Sequence, residues 1–151
     1  GGSALMNARA ITKAVQGSPQ KARLVVDTIR GLRVPEALTI LHFTNKRAAA
    51  MIEKTLRSAV ANASNLAEEK NVSVDVDNLY VSAAMVDLGP TKHRRRRRPA
   101  PMGRAYSERR WRSHITIEVS TEKPRAVAER DARNAQFAAK KKPAATASGE
   151  A

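Results

Sequence analysis

The chain has 151 residues and carries 28 Lys and Arg against 14 Asp and Glu, a formal net charge of +14. Aromatic residues make up only 3% and cysteine is absent, so the core must be aliphatic, and disulfides, thiolate metal sites and thiol nucleophiles are excluded. No apolar run approaches the roughly 20 residues that span a bilayer, so we expect no membrane partner. This charge balance is typical of a binder of polyanions.

The excess charge is concentrated in one short segment. Residues 92–112 hold ten Lys and Arg and a single acid, Glu108, for a net charge of +9. The 91 residues before it carry only +3, and the 39 after it carry +2. The sequence therefore predicts a nearly neutral body with one intensely basic element.

The first half of the body has mainly helical periodicity. Residues 8–15 fit a short strand with weak alternation. Ser18 and Pro19 then begin a helix, with Ser18 as the expected N-cap, and Gly31 ends it. Apolar side chains three and four apart give that helix one buried face: Ala22, Val25, Val26 and Ile29.

Two further helices are predicted before residue 72. One begins at Val34 and Pro35, with Ala37, Leu38 and Leu41 facing inward. Asn45 is the expected cap of the other, over residues 46–67, where Glu53 and Arg57 can pair on the exposed face. Its apolar positions keep the same spacing: Ala49, Ile52, Leu56, Ala59, Val60, Ala63 and Leu66.

The period changes from 3.6 to 2 after Asn71, which indicates strands over 79–86 and 113–120. Pairing these strands antiparallel makes the basic segment the outer part of a hairpin, about residues 87–112. The predicted fold class is α+β, with about three helices packed on a small antiparallel sheet and a long protruding β-hairpin. We expect one domain over residues 1–120, its body formed by 8–86 and 113–120. Residues 121–151 are a C-terminal extension, expected to be partly helical or disordered, with a helix over about 124–140 and disorder in the last ten residues.

Arginine dominates the basic segment, and its guanidinium group matches phosphate and stacks on unpaired bases. A solvated basic run or a localisation signal is the alternative, but the position between two strands favours nucleic acid. Pro99, Pro101 and Gly103 break the run and fit a turn. Tyr106 and Trp111 could each stack on a base, although Trp111 fits packing at the hairpin root equally well. The predicted RNA-binding residues here are Lys92, His93, Arg94, Arg95, Arg96, Arg97, Arg98, Arg104, Arg109, Arg110 and Arg112.

Basic side chains of the body could extend the same phosphate-facing surface, although each alone is more often a solvated charge. They lie near the first predicted helix (Lys21, Arg23, Arg30 and Arg33) and on the third (Lys46, Arg47, Lys54 and Arg57). We predict Lys21, Arg23 and Lys46 as RNA-binding residues among them.

Catalytic signals are weak. The histidines at 42, 93 and 114 are far apart, and no phosphate-loop, dinucleotide, nucleophile-elbow or zinc-protease motif is present. His114 fits a hydrogen-bonding or RNA-contacting group better than a base, and Asp75 and Asp77 fit turns better than a cation site. We therefore predict no enzyme, no catalytic residues, no metal, no cofactor and no small-molecule substrate.

Five segments resemble, in the same order and spacing, the bacterial large-subunit ribosomal protein L22 family (uL22). They are SPQKARLVVDTIRG (18–31), SAVANA (58–63), VDLGPT (86–91), GRA (103–105) and RSHITI (112–117). The resemblance covers roughly residues 8–120. Five consecutive arginines stand where the family has a mixed apolar and basic tip, and Ser107-Glu108 replace a more apolar or basic stretch on the return arm.

The resemblance implies a structural constituent of the large ribosomal subunit in the cytoplasm. It implies binding of 23S rRNA during assembly, contact with neighbouring large-subunit proteins, and a hairpin that reaches the nascent polypeptide in the exit tunnel. The tunnel-lining tip carried over by position is Arg95, Arg96, Arg97, Arg98, Pro99, Ala100, Pro101 and Met102, and His114 joins the RNA-binding residues. The alternative is a free basic nucleic-acid-binding module outside the ribosome, and an RNA enzyme that uses His114 is a weaker one.

Overall fold

The computed structural model describes residues 6–91, 95–125, 128–129 and 132–133. Lys92, His93 and Arg94 lie outside these ranges, as does most of the predicted C-terminal extension. Within the predicted helix over 124–140, the described residues 125, 128–129 and 132–133 are helical. The Arg125 Nε lies 3.2 Å from the Glu129 Oε1, one helical turn away.

Three helices form one layer of the body: α1 (Pro19–Ile29), α2 (Val34–Phe43) and α3 (Arg47–Glu69). The predicted apolar face of α1 is buried at all four positions, and α3 buries Ile52 and Leu56 completely. Leu38, Val60 and Leu66 are only partly buried at the margin of the core.

The predicted N-cap position is right for α1 and wrong for α3. The Ser18 side chain makes no capping hydrogen bond to α1, although Ser18 does occupy the N-cap position. Asn45 is not the cap of α3, because the helix begins two residues later and Lys46 occupies the N-cap position. Residue type alone therefore predicts the start of each helix to within two residues, but it does not predict the hydrogen bonds that cap the helix.

The second layer is an antiparallel sheet of β1 (Asn7–Gln16), β2 (Tyr80–Leu88) and β5 (Arg112–Ser120), in the order β1-β5-β2. The predicted pairing of the last two strands is confirmed, with Val86 opposite Ile115. β5 also pairs with β1 along its other edge, with Ala10 opposite Ile117. β5 is thus the central strand, and it carries the hairpin root between two neighbours.

The core lies between the helices and one face of the sheet. Ile115, Ile117 and Val119 alternate along β5 and are fully buried, together with Ile52 and Leu56 of α3. One polar pair enters this layer, where the Thr12 and Thr55 hydroxyls lie 2.8 Å apart. Thr55 is 1% exposed and also donates to the Met51 carbonyl, so its burial leaves no unpaired hydroxyl.

The outer edge of β2 is closed by α1 and the loop after it. Val81 exchanges backbone hydrogen bonds with Gly31 and Leu32, each 2.9 Å long. Farther along the strand, the Arg30 and Arg23 guanidinium groups donate to the carbonyls of Ala84 and Val86. These bonds satisfy groups that an open edge would offer to another strand.

Beyond the body, β3 (Arg95–Pro99) and β4 (Ala105–Arg109) form a separate two-stranded antiparallel hairpin. Five residue pairs set its register, from Arg95 opposite Arg109 to Pro99 opposite Ala105. We call β3, β4 and the turn between them the basic hairpin. The fold class is α+β, as predicted, and within the described residues no helix is long and apolar enough to cross a membrane.

Candidate nucleic-acid interface

The arginines of the basic hairpin are displayed to solvent. Arg96, Arg97 and Arg98 are exposed on β3, and Arg109 is exposed on β4. Because paired residues share a face of a two-stranded ribbon, Arg97 lies with Ser107, whereas Arg96 lies with Glu108. One face therefore presents arginine beside small polar groups, and the other carries the hairpin's acid.

A single carboxylate compensates part of this charge. The Glu108 Oε2 accepts a hydrogen bond of 2.9 Å from the Arg98 Nε, and the Arg98 Nη2 lies 3.4 Å from the other carboxylate oxygen. The Arg98 side chain is still 70% exposed, so water screens the pair and its contribution to stability is small. The contact orients Arg98. Glu108 also stands opposite Arg96 in the register, whereas Arg97 stands opposite the uncharged Ser107.

The tip of the hairpin is the turn over residues 100–104, closed by a 2.9 Å hydrogen bond from the Ala100 N–H to the Arg104 carbonyl. Met102 has a φ of 61°, which is unfavourable for a residue with a Cβ, and it is 95% exposed. The predicted tip extended from Arg95 to Met102. The structure places Arg95 to Pro99 on a strand, so only Ala100, Pro101 and Met102 of that set lie in the turn.

The two aromatic side chains of the segment have different surroundings. Tyr106 is 66% exposed on β4. Trp111 lies at the hairpin root, where its carbonyl accepts a 3.1 Å hydrogen bond from the Gly17 N–H and its ring lies 6.0 Å from the Arg109 guanidinium carbon. Trp111 is 39% exposed, so its packing at the hairpin root still leaves part of the residue accessible.

A groove of about 770 Å³ opens beside Trp111, and we call it the root groove. It lies between the end of β1, the first turns of α1 and α3, and the start of β5. Its cationic lining residues are Lys21, Lys46, Arg47 and Arg110, and among the described residues that line it none is acidic. Apolar side chains, including Met51 and Trp111, form much of its wall. Lys21 and Lys46, predicted separately from the sequence, are thus brought together with Arg110.

Two other predicted RNA-binding residues have partners inside the protein. The His114 Nδ1 accepts a 3.0 Å hydrogen bond from the Ala14 N–H, and the Arg112 Nη1 donates a 2.7 Å bond to the Ala14 carbonyl. Both side chains are half-buried. The sequence left a hydrogen-bonding role open for His114, and the bond from Ala14 is such a role. RNA contact by His114 or Arg112 stays a prediction.

Three other basic residues of the body also have hydrogen-bonding or ionic partners inside the protein. Arg23 bonds the edge of β2, Arg33 donates to the Tyr80 hydroxyl, and Arg57 pairs with Glu53 at 2.6 Å, as predicted. Arg104 is exposed at the tip.

Sequence reasoning missed the root groove. Only the pairing of β1 with β5 brings Gly17 to Trp111, and the weak alternation of β1 gives no signal that β5 is its partner strand.

No arrangement suited to metal binding appears among the described residues, where His, Cys, Asp and Glu form no group of three or more. Asp75 precedes a single turn of 3₁₀ helix, and its carbonyl accepts a 3.1 Å bond from the Asn78 N–H. This is the turn role expected for that residue.

Comparison with known proteins distinguishes a ribosomal protein from a free basic nucleic-acid-binding module. The sequence profile of a family described as ribosomal protein L22p/L17e matches residues 10–120, which include α1, α2, α3 and the strands β1 to β5 apart from the first three residues of β1. The chain belongs to the ribosomal protein L22p/L17e family. As a member of this family it is a structural ribosomal protein and not an enzyme.

Individual L22 relatives match over almost their whole length. The chain is 52% identical over 115 residues to the large ribosomal subunit protein uL22 of Solibacter usitatus, covering 76% of this chain and 96% of that protein. It is 51% identical over 117 residues to the uL22 of Fusobacterium nucleatum, with 78% and 99% covered. The uL22 of Halothermothrix orenii is 52% identical over 118 residues, with 78% and 98% covered.

Proposed function

We propose that this L22 protein, a structural constituent of the large ribosomal subunit, binds 23S rRNA through the basic hairpin and the cationic surface at its root. The observation that carries the proposal is the ladder of exposed arginines on β3, which faces a strand holding one acid, Glu108. Folded RNA brings phosphates close together, and guanidinium groups between them lower the repulsion. The protein thereby allows RNA helices to approach each other during assembly.

The basic hairpin has two strands and no third strand or helix packed on them among the described residues, which supports a role that depends on a binding partner. Two isolated strands are at best marginally stable in water, because they lack a third strand or a helix to pack against. Within the described part of the chain β3 and β4 pair only with each other, and their described side chains are largely exposed. RNA on both sides would supply the missing packing and charge compensation.

The shape of the tip supports the finer proposal that the hairpin extends to the peptide exit tunnel. The turn over residues 100–104 ends the paired strands and displays Met102, which is 95% exposed. Such a turn, narrow and lacking acids, can enter a passage lined by RNA and meet the nascent polypeptide there. The arginines of β3 would then lie behind the tip against RNA, not at the tunnel wall.

Contact with neighbouring large-subunit proteins belongs to the same proposal. Ile40 and Phe43 lie three residues apart on α2, so they share one face of that helix, and they are 37% and 81% exposed. An apolar pair of this kind on an otherwise charged protein suits burial against another protein.

A competition assay tests the proposal against the alternative of a free basic module. The full chain is bound to labelled 23S rRNA and challenged with equal phosphate concentrations of unlabelled 23S rRNA, duplex DNA or heparin. We expect 23S rRNA to compete far better than the other two, because fixed guanidinium positions match a folded RNA and not any polyanion. Equal competition by all three would contradict specific rRNA binding.

A matched pair of variants locates the binding to the hairpin. Replacing Arg96 and Arg97 by Gln removes two exposed cations of β3, which stand opposite Glu108 and Ser107, and should lower the magnitude of the log–log salt slope by about 1.4 to 1.8. Replacing Arg57 and Lys70, both exposed on or beside α3, removes the same charge elsewhere. An equal effect of both pairs would show that only net charge matters.

A further inference from the structure

The root groove combines a cationic surface with an apolar one. Its lining includes four cations, which we call its rim, and the apolar residues Met51 and Trp111, which we call its wall. The cations are Lys21, Lys46, Arg47 and Arg110. A volume of about 770 Å³ lies within the range of about 300–1,000 Å³ typical of clefts that enclose organic groups. A purely electrostatic contact with phosphate would need the rim but not the apolar wall.

We infer that the root groove holds an unpaired nucleotide of RNA, with its base against Trp111 and Met51 and its flanking phosphates at the cationic rim. This inference rests on the proposed function and adds to it a base-binding site on the body. Sequence-tolerant recognition of single-stranded RNA uses this combination, in which aromatic rings stack on bases and a basic border follows the backbone.

Charge complementarity selects this occupant over a peptide. Four cations border the groove and none of its described lining residues is acidic, so the site favours a chain with one negative charge per unit. The Arg47 Nη2 lies 3.5 Å from the Gln16 Oε1, at the limit of a hydrogen bond, which leaves its guanidinium group able to turn toward a phosphate.

The position of Trp111 couples this site to the hairpin. Its carbonyl is bonded to Gly17, which fixes the backbone at the groove, and its ring lies beside the Arg109 guanidinium on β4. A base stacked on this ring would therefore lie where the hairpin leaves the body. RNA bound along the hairpin could continue into the groove without a break.

Trp111 also provides the assay, because it is the only tryptophan of the chain and its fluorescence reports this site alone. The full-length protein is titrated with a single-stranded oligouridylate of about ten nucleotides, within the range of sites on single-strand-binding surfaces. The control ligand is an abasic oligomer of the same length and charge. We expect the oligouridylate to quench Trp111 and to bind about tenfold more tightly than the abasic oligomer.

Two double variants separate the groove from general electrostatics. Lys46→Ala with Arg47→Ala should weaken oligouridylate binding and lower the magnitude of the salt slope by about 1.4. Arg57→Ala with Lys70→Ala removes equal charge on or beside the same helix, outside the groove, and should change both quantities much less. None of these four side chains is buried, so the variants should remain folded.

The outcomes distinguish this inference from the proposed function. Binding of oligouridylate and abasic oligomer with equal affinity and no quenching would overturn the base-binding site while leaving rRNA binding by the hairpin intact. Equal effects of the two double variants would overturn it as well. If 23S rRNA itself failed to bind in the competition assay, the proposed function would fall first, and the groove assignment with it.

Discussion

The Ala14 N–H donates a hydrogen bond of 3.0 Å to the Nδ1 of His114, across the pairing of β1 with the central strand β5. Ala14 has a φ of 57° and sits where the register shifts between Thr12 and Val15, so it forms part of a β-bulge. Its carbonyl is held by Arg112 at 2.7 Å. Two side chains at the hairpin root thus satisfy both backbone groups of a residue that the ladder leaves unpaired.

Replacing His114 by Ala removes the acceptor for this N–H. We expect the free energy of unfolding to fall by about 1–3 kcal/mol, because a partly buried donor loses its partner. Urea denaturation of the variant and of His42→Ala measures this, His42 being an exposed histidine on α2. Equal stability of the two variants would show that the bulge does not depend on His114.

Replacing Leu56 by Ala tests the core between α3 and β5. Leu56 is fully buried, so the cavity left behind should lower the free energy of unfolding by about 2–5 kcal/mol. Leu24→Ala, at a leucine of α1 that is 66% exposed, is the control and should change little. A loss below about 0.5 kcal/mol for Leu56→Ala would mean that α3 does not pack as described.

Replacing Gly89 by Ala tests the direction in which the chain leaves the sheet. A Cβ at position 89 would lie 3.0 Å from the carbonyl carbon and oxygen of Arg112, and the Gly89 N–H already donates to that oxygen at 2.7 Å. Backbone must move to admit the methyl group, at a cost of about 1–3 kcal/mol. Denaturation midpoints compare it with Leu88→Ala, at an exposed neighbour; matching midpoints would contradict the close approach.

Replacing Glu108 by Gln should strengthen RNA binding. The change removes the carboxylate that holds Arg98, so its guanidinium becomes available to a phosphate. The log–log salt slope should steepen by about 0.7–0.9, the value of one added phosphate contact. Glu53→Gln, which frees Arg57 on α3 instead, is the matched control. A weaker affinity for Glu108→Gln would show that the ion pair organises the binding surface.

The tunnel assignment can be tested by placing a unique thiol at the tip. The chain has no cysteine, so Met102→Cys introduces a single reactive group at a side chain that is 95% exposed. Assembled into ribosomes carrying a stalled nascent chain, it should crosslink to that chain through a short thiol-reactive linker. Lys70→Cys, at the end of α3, should not. Absence of crosslinks from position 102 alongside efficient subunit assembly would contradict a tunnel-facing tip.

Elements with strong periodicity could be predicted from the sequence. The three- and four-residue spacing of Val25, Val26 and Ile29 located α1, and the alternation of Ile115, Ile117 and Val119 located β5, because burial on one face demands these patterns. The charge count located the hairpin, since no acid-poor run of arginines can form a core. These signals are local, and each can be recognised within about ten residues.

Contacts between distant segments could not be predicted in the same way. The bond from Ala14 to His114 joins residues 100 positions apart, and the root groove requires α1, α3, β1 and β5 to meet. Neither leaves a pattern in the sequence, because Ala14 and Gln16 are ordinary residues until the register is known. For the same reason, charge and residue type predict RNA contact for His114 and Arg112, whereas their hydrogen bonds within the protein are visible only in the fold.

Sedimentation in high salt tests the central claim most directly. Epitope-tagged chain and its Arg96→Gln, Arg97→Gln variant are expressed in bacterial cells, and the ribosomal subunits are separated on gradients at rising salt. We predict that the unsubstituted chain stays with the large subunit in stoichiometric amount, whereas the variant is released at lower salt. Migration of the unsubstituted chain free of subunits, or release of both proteins at the same salt concentration, would contradict an arginine hairpin anchored in ribosomal RNA.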